Sequence, residues 1–441
     1  MKVIKFIVIM SMAVVMSLLY IAQYILWPED QYATTTFEII FEWFSLLWLA
    51  GLLPGIIGIC GMWYLKSPKK LEDENPIRNF VCFRICTRGS NPKALAKTIL
   101  RIKKEMAAVP LFPYVVEVVS ERGFDFHQHD RLRIIVVPKD YQTPNGSRFK
   151  ARALHYATFH SPIPDKAWVV HLDEESRPTK SFIRGVTKMI REEDRKEKPS
   201  IGQGAILYHR QWRQHPLLTL ADNIRTGDDL GRFHIQHKIG ITIFGLHGSF
   251  IVARNDVEKK LGGFDFGPAG DVTEDAWWAL VAMENGYRSC WCEGYLEEQS
   301  CQSLLDFMRQ RRRWWVGLRL VVMNAPVGLK WRLLLGSQVA LWTLAPFALV
   351  YSFLHLFFGT FLSESIQFLG NFAYASFVTL YIVGLYVNLK EGLDDKDILF
   401  KISAYIVQGA MTIIPIFSSI EGLAILWAVF HPSKGFHIIK K

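Results

Sequence analysis

Residues 6–65 and 336–389 contain no lysine and no arginine. Few features constrain a chain more, because water-exposed surface of that length ordinarily carries charges of both signs. The bases lie between these segments. Residues 66–335 hold 43 of the 51 Lys and Arg and 31 of the 41 Asp and Glu, a local charge of +12; the other 8 bases and 10 acids give −2, and the whole chain +10. With 50% hydrophobic residues over 441 positions, the chain reads as a charged globular block held between hydrophobic, nearly charge-free segments. That pattern excludes a disordered chain and a small disulfide scaffold, and it fits a soluble enzyme poorly.

A hydrocarbon core about 30 Å thick needs about 20 apolar residues in a helix. Residues 4–27 and 43–65 provide two such runs before the block, and residues 337–361, 372–389 and 402–430 follow it. The first run lacks a clear small-residue cleavage site and reads as an uncleaved anchor. Five or six spans result. Basic residues favour the cytoplasmic side, so Lys2 and Lys5 orient the first span and the block 66–335 is expected in the cytosol. Segments 28–42 and 363–371 carry no base and are expected on the opposite side, with 390–401 cytosolic. The last stretch, with Pro415 and Glu421, is either one tilted span or a bent hairpin returning Lys434, Lys440 and Lys441 to the cytosol. Glu421 reads either as a functional ionisable group at membrane depth or as a helix cap near an interface. Six cysteines without a paired CxxC argue against zinc, and a cytosolic block argues for free thiols.

Within the block, residues 80–86, 114–119, 133–137 and 168–172 are β-rich apolar runs, alternating with helical spacing over 92–107 and 151–158. Strands alternating with helices indicate an α/β fold with a mostly parallel sheet, and ligands then bind beyond the carboxyl ends of the strands. Three polar clusters follow such ends. Asp173 and Glu175 stand two apart after an apolar strand, so their carboxylates project to one side and can grip a hard cation, Mg²⁺ or Mn²⁺; an acidic surface turn is the plain alternative. Thr273-Glu274-Asp275 follows a glycine-rich loop and precedes a helix. It can supply a general base, Asp275, or merely a capped, acidic first turn. Gln310, Arg313 and Trp314 share a helix face, where arginine can bind phosphate and tryptophan can stack on a sugar. As a bare basic run, 309–313 also suits a membrane-surface stripe. Nucleic-acid binding by that run fits a membrane-anchored chain poorly.

The order strand–DxE, GGF…TED, QxxRW and then apolar spans resembles the membrane-bound family 2 glycosyltransferases, the group of cellulose, chitin and hyaluronan synthases. Lys150-Ala-Arg-Ala-Leu resembles the lysine-containing segment before the DxD-like motif. Glu175 replaces a common Asp, which keeps a carboxylate with altered reach. Ile85-Cys-Thr-Arg-Gly, Val170-His-Leu-Asp-Glu-Glu, Leu218-Thr-Leu-Ala-Asp and Ile413-Ile-Pro with Glu421 resemble the egghead-type β-1,4-mannosyltransferases of invertebrates, over about residues 80 to 430.

The resemblance implies a GT-A type domain and inverting transfer of mannose from GDP-mannose to glucosylceramide, a membrane glycolipid, at a cytosol-facing site of the endoplasmic reticulum or Golgi. It implies Asp173 and Glu175 as metal ligands, Asp275 with Glu274 as the catalytic pair, and Gln310, Arg313 and Trp314 as substrate-binding residues. Thr87, Arg88, Glu117 and Lys150 would frame the nucleotide. The expected organisation is two N-terminal spans (1–65), the GT-A block (66–300), interfacial helices (301–335), about three C-terminal spans (336–430) and a basic tail (431–441). A processive polysaccharide synthase using a UDP- or GDP-sugar is the alternative reading, and a non-catalytic membrane scaffold a further one.

Overall fold

The computed structural model describes residues 2–26, 35–65, 75–124, 131–354, 363–393 and 397–432. Strands β1 (Val81–Cys86), β2 (Tyr114–Ser120), β3 (Leu132–Val136) and β4 (Trp168–Leu172) form a parallel half-sheet in the order β3-β2-β1-β4. Crossover helix Pro92–Ala108 starts with proline in its first turn and is capped by Asn91, whose side chain accepts from the Ala94 amide. It buries Leu95, Ile99, Ile102 and Met106 on one face, the spacing its sequence shows.

Beyond β4 the sheet becomes mixed. The chain adds β5 (Arg177–Pro178), β6 (Ile201–Leu207), β7 (Ile251–Arg254) and β8 (Ser289–Glu297), completing the order β3-β2-β1-β4-β7-β6-β8-β5. β7 runs antiparallel to β4 and β6, while β8 is parallel to β6. The sheet stays mostly parallel as expected: β6 and β8 run with β1 to β4, while β5 and β7 run against them. The pairing of β6 with β8 is irregular between Gln203 and Ala205, around Gly204. A Cβ built at Gly204 would lie 2.2 Å from the Cys292 carbonyl oxygen, so that backbone approach requires glycine.

Among the described residues, two helices are long and apolar enough to cross a membrane, Lys2–Leu26 and Glu364–Gly392. The expected second span over 43–65 is broken: helix Thr36–Ser45 passes through a 3₁₀ segment, Leu46–Gly51, into helix Leu52–Tyr64. The run 337–361 begins inside helix Leu329–Leu354 and from 355 lies outside the described residues. Helices Ile398–Ile413 and Ile416–Phe430 meet at 50°. That is a helix broken at Pro415, the geometry of one bent span or of a re-entrant loop. The Tyr374 hydroxyl donates to the carbonyls of Thr412 and Ile413, 3.0 and 2.7 Å away, satisfying groups that the break frees. The tail from residue 433 lies outside the described residues.

Small residues and amides join the sheet domain to the apolar helices. A Cβ at Gly384 would lie 1.9 Å from the Asn223 carbonyl oxygen. Asn388 donates to the Asn223 side chain at 2.8 Å and accepts from the Tyr208 amide at 2.8 Å. Asn223 in turn donates to Gln408 at 2.8 Å. These buried groups satisfy one another across the junction.

Candidate active site

A cleft of about 1080 Å³ opens beyond the carboxyl end of β4. Of the residues singled out in the sequence, Lys150, Asp173, Glu175, Glu274, Asp275, Gln310, Arg313 and Trp314 all line it. Four elements bring them together: helix Phe149–His160, the turn after β4, the first turn of helix Glu274–Glu284, and helix Leu304–Asn324.

The DxE pair does not stand alone. Carboxylate oxygens of Asp173, Glu175 and Glu298 lie within 4.8 Å of one another. Glu298, one residue beyond β8, is 2% exposed and accepts from the hydroxyls of Ser176 and Ser249. Three hard oxygen donors at that separation fit Mg²⁺ or Mn²⁺. Reading by sequence misses Glu298, whose one local signal is an acidic pair, Glu297-Glu298, closing a β-rich run.

Lys150 ties two clusters together. Its ammonium lies 2.8 Å from Asp173 and 3.6 Å from Glu274, and it donates to the Gly248 carbonyl at 3.3 Å. Burial disfavours its charge, but Asp173 and Glu274 outweigh that and hold Lys150 above its ordinary value. Burial raises Glu274 against the pull of Lys150. Burial, and then the charge of Glu274, push the Asp275 carboxyl up to about 7. A carboxylate poised there can exchange a proton near neutral pH. Burial lowers Arg313 from its ordinary value, opposed by the charges of Glu274, Asp173 and Asp275.

The helix-cap alternative accounts for less than the sequence suggested. Glu274 and Asp275 do occupy the first helical turn, but Thr273 makes no side-chain cap bond. Its methyl and hydroxyl instead crowd Gly317 on the neighbouring helix, where a Cβ would approach within 2.5 Å. On helix Leu304–Asn324, Ser303 supplies the cap by accepting from the Asp306 amide. Gln310 is 2% exposed and accepts from Arg311 at 2.9 Å. Arg311 reaches Asp222 at 2.7 Å and Glu421 at 2.6 Å. Glu421 lies in the sixth position of its helix, Ile416–Phe430, so it is an ion-pair partner and not a helix-start cap. Arg311 and Arg225 each stack on Trp314, with guanidinium carbons 4.5 and 4.6 Å from the ring centroid.

Three nucleotide-framing expectations meet a different placement. Glu117 is fully buried in β2, where Arg84 (3.2 Å), Arg133 (2.8 Å) and the Ser161 hydroxyl occupy its carboxylate; Arg84 also pairs with Glu258, which holds His171. That network organises the sheet interior, and Glu117 does not line the cleft. A carboxylate late in an apolar strand is indistinguishable in sequence from one at the strand's end. Arg88 is exposed and also lies off the cleft. Thr87 stands one step behind, donating to Glu174, which does line it. All six cysteines are free.

The cleft has a second, apolar arm. It continues between the 3₁₀ segment Leu46–Gly51, helix Leu329–Leu354 and helix Glu364–Gly392, past Leu47, Trp342, Phe377 and Leu380. A polar, carboxylate-lined pocket thus runs directly into the apolar helices.

Residues 168–389 match the family described as Glycosyl transferase family group 2. The chain is 31% identical over 421 residues to β-1,4-mannosyltransferase egh of Drosophila melanogaster, covering 94% of this chain and 90% of that protein. It is 31% identical over 365 residues to β-1,4-mannosyltransferase bre-3 of Caenorhabditis elegans, covering 82% and 78%. Its fold is similar to that of the mannosyltransferase PcManGT from Pyrobaculum calidifontis, solved in complex with GDP-Man and Mn²⁺, with a TM-score of 0.50 and 14% identity over 88% of this chain and 99% of that one.

Proposed function

Because this chain belongs to glycosyltransferase family 2 and is an enzyme of that family, we propose that it transfers mannose from GDP-mannose to glucosylceramide in β-1,4 linkage. The observation that carries this reading is the two-armed cleft, with Asp173, Glu175, Glu298 and Asp275 at one end and apolar helices at the other. A sugar nucleotide suits the polar end. A lipid-linked sugar suits the junction, with its hydrocarbon in the apolar arm. The Drosophila and Caenorhabditis relatives, both β-1,4-mannosyltransferases by name, support mannose as the sugar. The GDP-Man bound by the Pyrobaculum mannosyltransferase supports GDP-mannose as the donor. The basic middle block facing the cytosol, at the endoplasmic reticulum or Golgi, belongs to the same proposal.

Asp173, Glu175 and Glu298 would hold Mg²⁺ or Mn²⁺, which supplies positive charge against the departing diphosphate. Asp275 takes the proton from the acceptor 4-hydroxyl as that oxygen attacks the anomeric carbon, so one displacement inverts the configuration. Glu274 and Lys150 set the proton affinity of Asp275. Arg313 places a cation beside the same acids, to meet the diphosphate. Gln310 and Trp314 line the acceptor side.

The test is to incubate membranes containing the protein with GDP-mannose, UDP-glucose or UDP-N-acetylglucosamine plus glucosylceramide, and to weigh the lipid product. One added hexose from GDP-mannose alone is expected. Extension by a UDP-sugar into a polymer overturns the reading.

A further inference from the structure

Most cations lining the cleft are already engaged by protein groups. Lys150 meets Asp173 and Glu274, Arg311 bridges Asp222 and Glu421, and Arg232 binds Asp228 and Gln338. Arg225 differs. Its side chain lines the same cleft but makes no hydrogen bond or ion pair with any described residue. Two rings hold it instead, Tyr208 at 4.4 Å and Trp314 at 4.6 Å from its guanidinium carbon. Stacking on aromatic faces fixes the plane of a guanidinium while leaving its edge N–H groups available. A planar donor array at a cleft wall, rigidly held and without protein acceptors, is a recognition element awaiting oxygen atoms.

Its position indicates which oxygens. Arg225 lies on the short helix Asn223–Asp228, anchored to the apolar helices through Asn223. Its neighbour Ile224 lines the cleft with Phe377 and Leu380 of the apolar arm and packs against the cluster that holds Leu380. On the polar side it feels the charges of Asp222 and Glu298. Asp222 and Glu421 at this junction already pair with Arg311, and Arg225 sits where the apolar arm begins, so its edge N–H groups suit the neutral hydroxyl groups of a sugar carried on a lipid. We propose that Arg225 anchors the acceptor: its guanidinium donates to adjacent hydroxyl oxygens of the sugar on the lipid, at the mouth of the apolar arm.

This inference rests on the glycolipid-acceptor reading above. It is tested on the full-length protein in mixed micelles with Arg225→Met, which keeps an unbranched stem beside the rings, and with Arg225→Lys, which keeps the charge. The KM for glucosylceramide should rise about 10- to 100-fold in Arg225→Met, with a smaller fall in kcat and GDP affinity in Mn²⁺ held within about twofold. Arg225→Lys should fall between, and it decides the matter if Arg225→Met does not fold. An unchanged KM in a folded variant overturns the proposal, as does a loss of GDP affinity at unchanged KM, which would assign the guanidinium to the donor. If the wild type itself makes no product from glucosylceramide, the acceptor reading fails and this inference with it. If the wild type is active and the variants keep its KM, only this inference fails.

Discussion

Glu274→Gln separates the roles of the two adjacent acids. Asp275 reaches about 7 through burial first and the charge of Glu274 second, while Lys150 works in the opposite direction. The substitution preserves volume, removes the second cause and leaves the Lys150 ammonium in place. Both consequences favour the ionised form of Asp275, so its pKa falls. With a pKa of about 7, about one-tenth of Asp275 is ionised at about pH 6 and about one-hundredth at about pH 5. Since the base form is gained as pH rises, wild-type kcat/KM should drop about tenfold per unit below about pH 7. In Glu274→Gln the acid limb should move down by about one to two units, the usual effect of one nearby like charge. At about pH 5 the variant should then keep about ten to fifty times more of its own plateau rate than the wild type keeps of its own. Stability moves the other way: a carboxyl that holds its proton more tightly folded than unfolded weakens the fold as pH rises towards 7. The assay is initial-rate mannosyl transfer at constant ionic strength, from about pH 5 to about pH 8. A limb that stays put or moves upward in Glu274→Gln refutes the electrostatic coupling. A flat wild-type profile refutes Asp275 as the base.

Glu298→Ala should weaken Mn²⁺-dependent GDP-mannose binding at least about tenfold, as Asp173→Ala should, measured by calorimetric titration; an unchanged affinity removes Glu298 from the metal set. Glu117→Gln, by contrast, should leave nucleotide affinity unchanged while costing about 3 kcal/mol of stability, because Arg84 is then left under-compensated in the sheet. Arg311→Met leaves Asp222 and Glu421 facing each other without a cation, a loss of about 3–5 kcal/mol, whereas Glu421→Gln keeps the Asp222 pair and should cost about 1–2 kcal/mol; thermal inactivation in detergent ranks the two. Gly384→Ala places a methyl 1.9 Å from the Asn223 carbonyl oxygen, and the forced separation should cost about 3 kcal/mol or more, read as a lower inactivation temperature.

The parallel half of the sheet was legible because its strands are continuous apolar runs, the pattern of strands buried on both faces. β6 was not, since Gly202 and Gly204 interrupt it, and β8 mixes Ser289, Glu293 and Gly294 among its apolar residues. Nothing local announces that β7 inserts antiparallel between β4 and β6, because that depends on pairing across long sequence separations. The same limit hid Glu298, which reaches Asp173 and Glu175 only through the fold, and concealed that Glu117 pairs with Arg84 inside the sheet. Asp173, Asp275 and Arg313 were readable because each follows a local signal: a strand end, a helix start, a helical face. The apolar run 43–65 misled because composition reports hydrophobicity and not continuity, and helix geometry gives way to a 3₁₀ segment at Leu46–Gly51.

The most direct measurement is proton NMR of the lipid product made by the purified protein from GDP-mannose and glucosylceramide. Single displacement by an acceptor hydroxyl that Asp275 deprotonates predicts one mannose, attached to the glucose 4-hydroxyl, with its anomeric configuration inverted from the α-linked donor to β. An α-linked mannose, or a chain of several sugars, would contradict it.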